Sequence, residues 1–155
     1  MASKVKPIPD GCEGAAPYLC VHDAAASIDF YKNAFGAIEV YRLTEPSGKI
    51  GHAEVRIGRA VIMLADEYPE SGHRSPRSLG GTPVKIHLYV KDVDAVVSQA
   101  HEAGAKILRP AQDEFYGDRN GTVEDPFGHV WFIASRKENL SVEEIQNRFA
   151  AFFEQ

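Results

Sequence analysis

His52 and Glu54 stand two residues apart in His52 to Ile57, a run that alternates as a strand does, so an imidazole and a carboxylate share one face. Such a pair can move a proton, and with a second imidazole it can hold a divalent cation. Gly58-Arg59 reads as a two-residue turn, and pairing Ile57 with Ala60 across it sets Glu54 opposite Met63 and His52 opposite Ala65. The same parity adds Arg56 on that strand, and Tyr18 and Cys20 on the first strand. Later in the chain His87 and Tyr89 form a second pair of this kind, with Phe132 beyond them; Arg119 and Val123 join across a loop that blurs the register. An acid, two imidazoles, phenols and a guanidinium among apolar side chains suit an organic ligand with a few polar handles.

Each group also has a plain explanation. His52 and Glu54 fit a water-facing strand equally well. His87 lies in the apolar run Ile86 to Val90 and fits a hydrogen-bonded core histidine. Arg119 follows Tyr116-Gly-Asp118 and fits a loop pinned through Asp118. His22, His73, His101 and His129 fall in caps, a linker, a helix and a turn, and are assigned no role. Cys12 and Cys20 lack the spacing of a disulfide framework or a CxxC site and read as free thiols, Cys20 as buried filler.

The elements that must position these groups come in duplicate. Pro17-Tyr-Leu-Cys-Val-His-Asp23 leads to Gly36-Ala37, and Ile86-His-Leu-Tyr-Val-Lys-Asp92 leads to Gly104-Ala105: each is a short strand, an Asp cap, about three turns of helix and a Gly stop. A shift of 69 carries Val21 onto Val90, Val61 onto Val130 and Met63 onto Phe132. After the first helix, Ile38 to Leu43, His52 to Ile57 and Ala60 to Ala65 read as a three-stranded meander. After the second, Ala105 to Leu108, a stretch near Phe115 to Val123, and His129 to Ala134 repeat it. The pattern is βαβββ twice, an α+β chain read as one compact domain over 1–155, with module one at about 14–66, a connection at 67–83 and module two at about 84–135. Ser141-Val-Glu-Glu144 is a capping box that opens a final helix over about 141–154, with Val142, Ile145, Phe149 and Phe152 on one face and Glu143, Glu144 and Arg148 on a wet one.

These residues resemble the vicinal oxygen chelate superfamily, which contains glyoxalase I, fosfomycin and bleomycin resistance proteins, and extradiol dioxygenases. The likeness covers roughly residues 14–135. It rests on the strand-Asp-helix run with Ile28-Asp-Phe-Tyr31 and Phe35-Gly-Ala37, and on Glu124-Asp-Pro-Phe-Gly-His129; the wording is closest to the PhnB-like, glyoxalase-like branch. The resemblance implies paired βαβββ modules forming a curved mixed sheet whose concave cup holds the ligand, commonly within a homodimer. It also implies seats for metal ligands on the first and last strand of each module, which fall here on Ala16, Met63, Lys85 and Phe132. A methyl, a thioether, an ammonium and a phenyl cannot supply the convergent nitrogen and oxygen donors a divalent cation needs.

With 155 residues, 44% hydrophobic and 25% charged, the chain can bury an ordinary core. A net charge of −5 without a Lys/Arg cluster argues against nucleic-acid or anionic-membrane partners. No apolar run has the length of a bilayer span or the form of a leader's core, so a cytoplasmic protein is expected. No phosphate-binding loop, dinucleotide fingerprint, HExxH or GxSxG is present. Asp118 and Glu124 lie along one strand and turn, not across a shared substrate as a glycosidase pair does.

The expectation is a metal-free protein that binds a small organic molecule, of the resistance or sequestration type, through Tyr18, His52, Glu54, Met63, His87, Tyr89, Arg119 and Phe132. The alternative is a lyase, isomerase or epimerase that uses Glu54 as base beside His52, or one divalent transition metal held by His52, Glu54 and His87.

Overall fold

Asp23 and Asp92 start the two main helices as expected, because each carboxylate accepts a free first-turn N–H: Ala26 N donates to Asp23 at 3.0 Å and Ala95 N to Asp92 at 3.0 Å. A computed structural model describes residues 4–154. By backbone contacts the chain divides into two compact units, Met1–Leu79 and Gly80–Gln155, with the division inside the expected connection.

The first unit holds β1 (Tyr18–Val21), α1 (Ala24–Phe35), β2 (Ile38–Thr44), β3 (Ile50–Ile57), β4 (Ala60–Asp66) and the short α2 (Pro76–Leu79). Its sheet order is β1-β4-β3-β2, with β1 parallel to β4 and the other pairs antiparallel. Gly36 ends α1 at φ 66°, a left-handed conformation that glycine adopts without steric penalty, and its N–H donates to Lys32 O at 3.1 Å. Alternation gives the sheet two faces. Leu19, Val21, Ala53, Val55, Ile62 and Leu64 are buried with Ala24, Ile28, Tyr31 and Ala34 of α1. A fully buried side chain such as Leu64 contributes about 1.5–3 kcal/mol relative to leaving it exposed. Tyr18, His52, Glu54 and Met63 have the opposite parity and occupy the face away from α1.

The second unit repeats the plan with β5 (Lys85–Tyr89), α3 (Val93–Glu102), β6 (Lys106–Asp113), β7 (Asp118–Glu124) and β8 (Val130–Arg136), in the order β5-β8-β7-β6. β6 runs further than the expected stop at Leu108, through Pro110. It lies at the sheet edge, where one missing donor is tolerated. The fold is therefore α+β, two four-stranded mixed sheets with helices, followed by α4 (Val142–Ala150), which Ser141 caps by accepting from Glu144 N at 3.1 Å. Phe115 meets Phe149 and Phe152 of this last segment at ring-centroid distances of 5.8 and 5.1 Å. Among the described residues no helix is long and apolar enough to cross a membrane.

One turn changes the register between the modules. Arg56 pairs Val61 across the four residues 57–60, whereas at the corresponding place Glu124 pairs Val130 across the five residues 125–129. Thr122, not Val123, therefore stands opposite Phe132, as Glu54 stands opposite Met63. Val123, Trp131, Ile133 and Gly121 consequently face α3. A methyl group on Gly121 would come within 2.9 Å of Val97 Cγ2 on that helix. Gly121→Ala is expected to destabilise the second unit by about 1–3 kcal/mol through overpacking, read as a lower denaturation midpoint at unchanged m-value.

Candidate functional site

Module one gathers its polar groups into one hydrogen-bonded chain on the face away from α1. Tyr18 Oη lies 2.8 Å from His52 Nδ1, His52 Nε2 lies 3.3 Å from Glu54 Oε1, and Tyr41 Oη donates to the same carboxylate oxygen at 3.2 Å. The side chains of His52 and Glu54 are only 21% and 16% exposed, so this is not the freely wet strand face that alternation alone allowed. A neutral imidazole with its proton on Nε2 satisfies every contact: it donates to Glu54 and accepts the Tyr18 proton at Nδ1. Burial raises the Tyr18 phenol, with Cys20 adding to the shift; burial followed by the Glu54 charge raises Tyr41. Both phenols thus stay protonated at neutral pH and remain donors. Cys20 is buried beside them, and burial with the charges of Glu67 and Asp66 pushes its thiol up to about 11, which keeps it protonated and unreactive.

A hollow of about 450 Å3 opens beside Tyr18, lined also by Gly51, Ala65, Tyr68, Ser71 and His73. Its outer wall is a small flap in which Tyr68 N donates to His73 O at 2.8 Å and His73 N to Tyr68 O at 3.1 Å, around a 3-10 turn at Pro69–Ser71. The Tyr18 and His73 rings meet edge to face at 5.8 Å. Glu67 at the base of the flap accepts Ser75 N at 2.7 Å.

Two carboxylates of this unit titrate far below their ordinary 4.5. Hydrogen bonds from Ser78 and Ser75 hold Glu67 at about 2, and hydrogen bonds from Arg42 and Lys32 hold Glu39 at about 2. A carboxyl whose folded value is depressed contributes stability above its unfolded value and loses it as pH falls through the folded value. The melting temperature is therefore expected to hold from neutrality down to about pH 5 and then to fall as pH drops from 4.5 to about 2. In Glu39→Gln/Glu67→Gln the upper plateau should be lower and this limb flatter, as thermal melts across the range will show.

Module two places His87, Tyr89 and Phe132 on its own face away from α3, with His87 opposite Phe132 and the His87 and Tyr89 rings 4.7 Å apart. Arg109, Asn120, Thr122 and Asp118 share that face. Arg109 donates to Asn120 Oδ1 at 2.9 Å and pairs with Glu114, while Tyr89 Oη donates to Asp118 at 2.5 Å, a bond that raises its phenol. By register, His87, Phe132, Thr122 and Arg109 are the counterparts of Tyr18, Met63, Glu54 and Tyr41. At the paired positions the first copy's Tyr18, Glu54 and Tyr41 are thus replaced by His87, Thr122 and Arg109 in the second.

Arg119 and Val123 do not belong to this face, which corrects the expectation. The longer Asp125 turn reverses their parity, and Arg119 instead clasps Asp94 of α3 at 2.8 and 2.9 Å and reaches Asp113 at 3.1 Å. Tyr41, Tyr68, His73, Arg109 and Asn120 were not anticipated. A bulge between Glu39 and Tyr41 hid the parity of β2, and the flap pairs two residues of a segment that reads as plain connection.

The four seats implied for a metal carry a methyl at Ala16, a thioether at Met63, an ammonium at Lys85 and a phenyl at Phe132. Met63, Lys85 and Phe132 all have the open-face parity those seats require. This donor chemistry does not fit a divalent cation. Within each unit, no three His, Cys, Asp or Glu among the described residues are grouped to hold one.

Two βαβββ modules, each a four-stranded mixed sheet with a helix on one face and hydrogen-bonded polar side chains on the other, define the class of fold. The family model for the Glyoxalase/Bleomycin resistance protein/Dioxygenase superfamily matches residues 14–133, and the chain belongs to that superfamily. It is 47% identical over 134 residues to an uncharacterized protein of Mycobacterium bovis, covering 84% of this chain and 88% of that one. Among solved structures, a gene product of Arabidopsis thaliana is 28% identical with a TM-score of 0.64, covering 78% of this chain and 97% of that one. TioX from Micromonospora sp. ML1 is 25% identical with a TM-score of 0.61, covering 83% and 100%.

Proposed function

We propose that this chain is a metal-free binder of a small organic molecule, of the resistance or sequestration kind within its superfamily and closest to the PhnB-like branch, working in the cytoplasm as a homodimer. The observation that carries the reading is the hydrogen-bonded chain Tyr18–His52–Glu54–Tyr41 beside a hollow of about 450 Å3, on a fold whose metal seats hold side chains that cannot ligate. Tyr18, its proton committed to His52, keeps oxygen lone pairs that accept a hydrogen bond from a ligand's polar handle, and the hollow receives its apolar body.

A panel of aromatic and peptide-like compounds should raise the melting temperature, since a ligand that binds only the folded state at a hundred times its Kd stabilises by about 2.7 kcal/mol. The rise should vanish in Tyr18→Phe. A panel without a single stabilising compound contradicts the reading. Sedimentation at micromolar concentration tests the dimer, and a monomer there removes that part of it.

The same chain of bonds also favours a second reading. A carboxylate that orients an imidazole, which in turn meets a phenol, is an acid–base arrangement, and Glu54 beside His52 suits a lyase, isomerase or epimerase. Solvent deuterium entering the α-carbon of a carbonyl compound, lost in Glu54→Gln, would put it ahead of passive binding.

A further inference from the structure

We propose that the hollow beside Tyr18 takes a planar organic cation, of the amidinium or protonated aminoarene class; this names the ligand class of the binding site proposed above and rests on that reading. Three rings, those of Tyr18, Tyr68 and His73, line the hollow together with Gly51, Ala65 and Ser71, and no lysine or arginine does. Aromatic faces carry negative quadrupole density and attract a cation placed over them. Tyr68 is made richer still because its hydroxyl donates to Glu45 at 2.7 Å. The chain already uses this property, for Lys49 Nζ stands 4.6 Å from the Tyr68 ring centroid.

The floor adds charge of the matching sign. Gly51 has no side chain, and a methyl group there would meet Tyr68 Oη at 3.7 Å and Glu45 Oε1 at 3.9 Å, so the glycine leaves that carboxylate within reach of the space above it. His73 contributes its ring, which meets the Tyr18 ring edge to face at 5.8 Å. An anion of the same shape would meet ring faces and the Glu45 carboxylate instead, so discrimination comes from repulsion as well as attraction.

The test is a titration of isotopically labelled full-length protein with benzamidine, benzamide and benzoate, three compounds of one shape and three charges, followed by amide resonances. Benzamidine should move the Gly51 and Ser71 signals and bind about tenfold more tightly than benzamide, with benzoate weakest. Glu45→Gln should remove most of the benzamidine advantage while leaving benzamide affinity in place. Equal binding of benzamidine and benzamide at Gly51 and Ser71, or tighter binding of benzoate, overturns the charge preference and leaves organic-ligand binding standing. Shifts confined to other residues, or none with any of the three, overturn the hollow as the seat, whereas the broader reading stands or falls on the wide panel and Tyr18→Phe.

Discussion

Asp125→Ala is expected to lower the stability of the second unit by roughly 3–5 kcal/mol, among the largest effects a single substitution can have here. The Asp125 side chain is buried and accepts three donors: Phe127 N at 3.0 Å, His129 N at 2.9 Å and the Trp131 indole N–H at 3.0 Å. Truncation removes three hydrogen bonds at once, two of them buried, and each buried donor so deprived costs about 1–3 kcal/mol. The Asp125–Gly128 turn that sets the β7–β8 register loses its brace at the same time. Asp125→Asn should be milder, because its amide oxygen still serves two backbone groups while its NH2 confronts the indole N–H. Trp131 is the single tryptophan, so its emission reports the change directly, with a red shift and a denaturation midpoint well below that of the parent. A midpoint within error of the parent would show that the turn holds itself.

His52→Ala is expected to weaken binding of any compound found by the thermal panel by about 10- to 100-fold, with little change in melting temperature. His52 is the middle link of its chain: without it Tyr18 loses its acceptor at 2.8 Å and Glu54 a donor at 3.3 Å, and neither phenol nor carboxylate keeps its orientation. All of these groups are partly exposed, so water replaces the lost partners and folding is little affected. Tyr41→Phe, which removes only the outer bond to Glu54, should have a smaller effect of the same sign. Arg119→Ala is the contrasting variant. Its guanidinium bonds Asp94 and Asp113, so its loss should leave affinity unchanged and slightly weaken the seating of α3. Calorimetric titration of the three variants separates these outcomes, and a loss of affinity in Arg119→Ala as large as in His52→Ala would contradict the site.

Much of this was legible in the sequence, for definite reasons. The Asp caps, the Gly36 stop and the repeated strand pattern are local signals, and local signals survive folding. The Gly58-Arg59 turn defines the β3–β4 register well enough to place Glu54 opposite Met63 from residue order alone. The same reasoning failed at Arg119 because the turn before β8 is one residue longer, and a one-residue slip exchanges the two faces of a strand. The bulge beside Tyr41 concealed its face in the same way. Tyr68 and His73 were beyond reach for a different cause: their pairing is an isolated bridge within an irregular segment, and nothing periodic announces it.

The motif that helped to place the chain in its superfamily, Glu124-Asp-Pro-Phe-Gly-His129, proves to be architecture rather than chemistry. Its Asp125 braces a turn, while the groups proposed to meet a ligand stand on β1, β2 and β3, where the first module carries an acid and an imidazole. The second copy has Thr122 and Arg109 opposite Phe132 and beside it, at the corresponding positions. The repeat presents two like surfaces whose side chains differ at the paired positions, Glu54 against Thr122 and Tyr41 against Arg109.

Elemental analysis of the protein purified without added metal is decisive, because ligand capture by Tyr18, His52 and Glu54, as proposed, has no cation between them and the ligand. Transition metal is expected far below stoichiometric. One equivalent of zinc, iron or manganese per chain, lost on His52→Ala or His87→Ala, would contradict it and move the protein to the metal-dependent side of its superfamily.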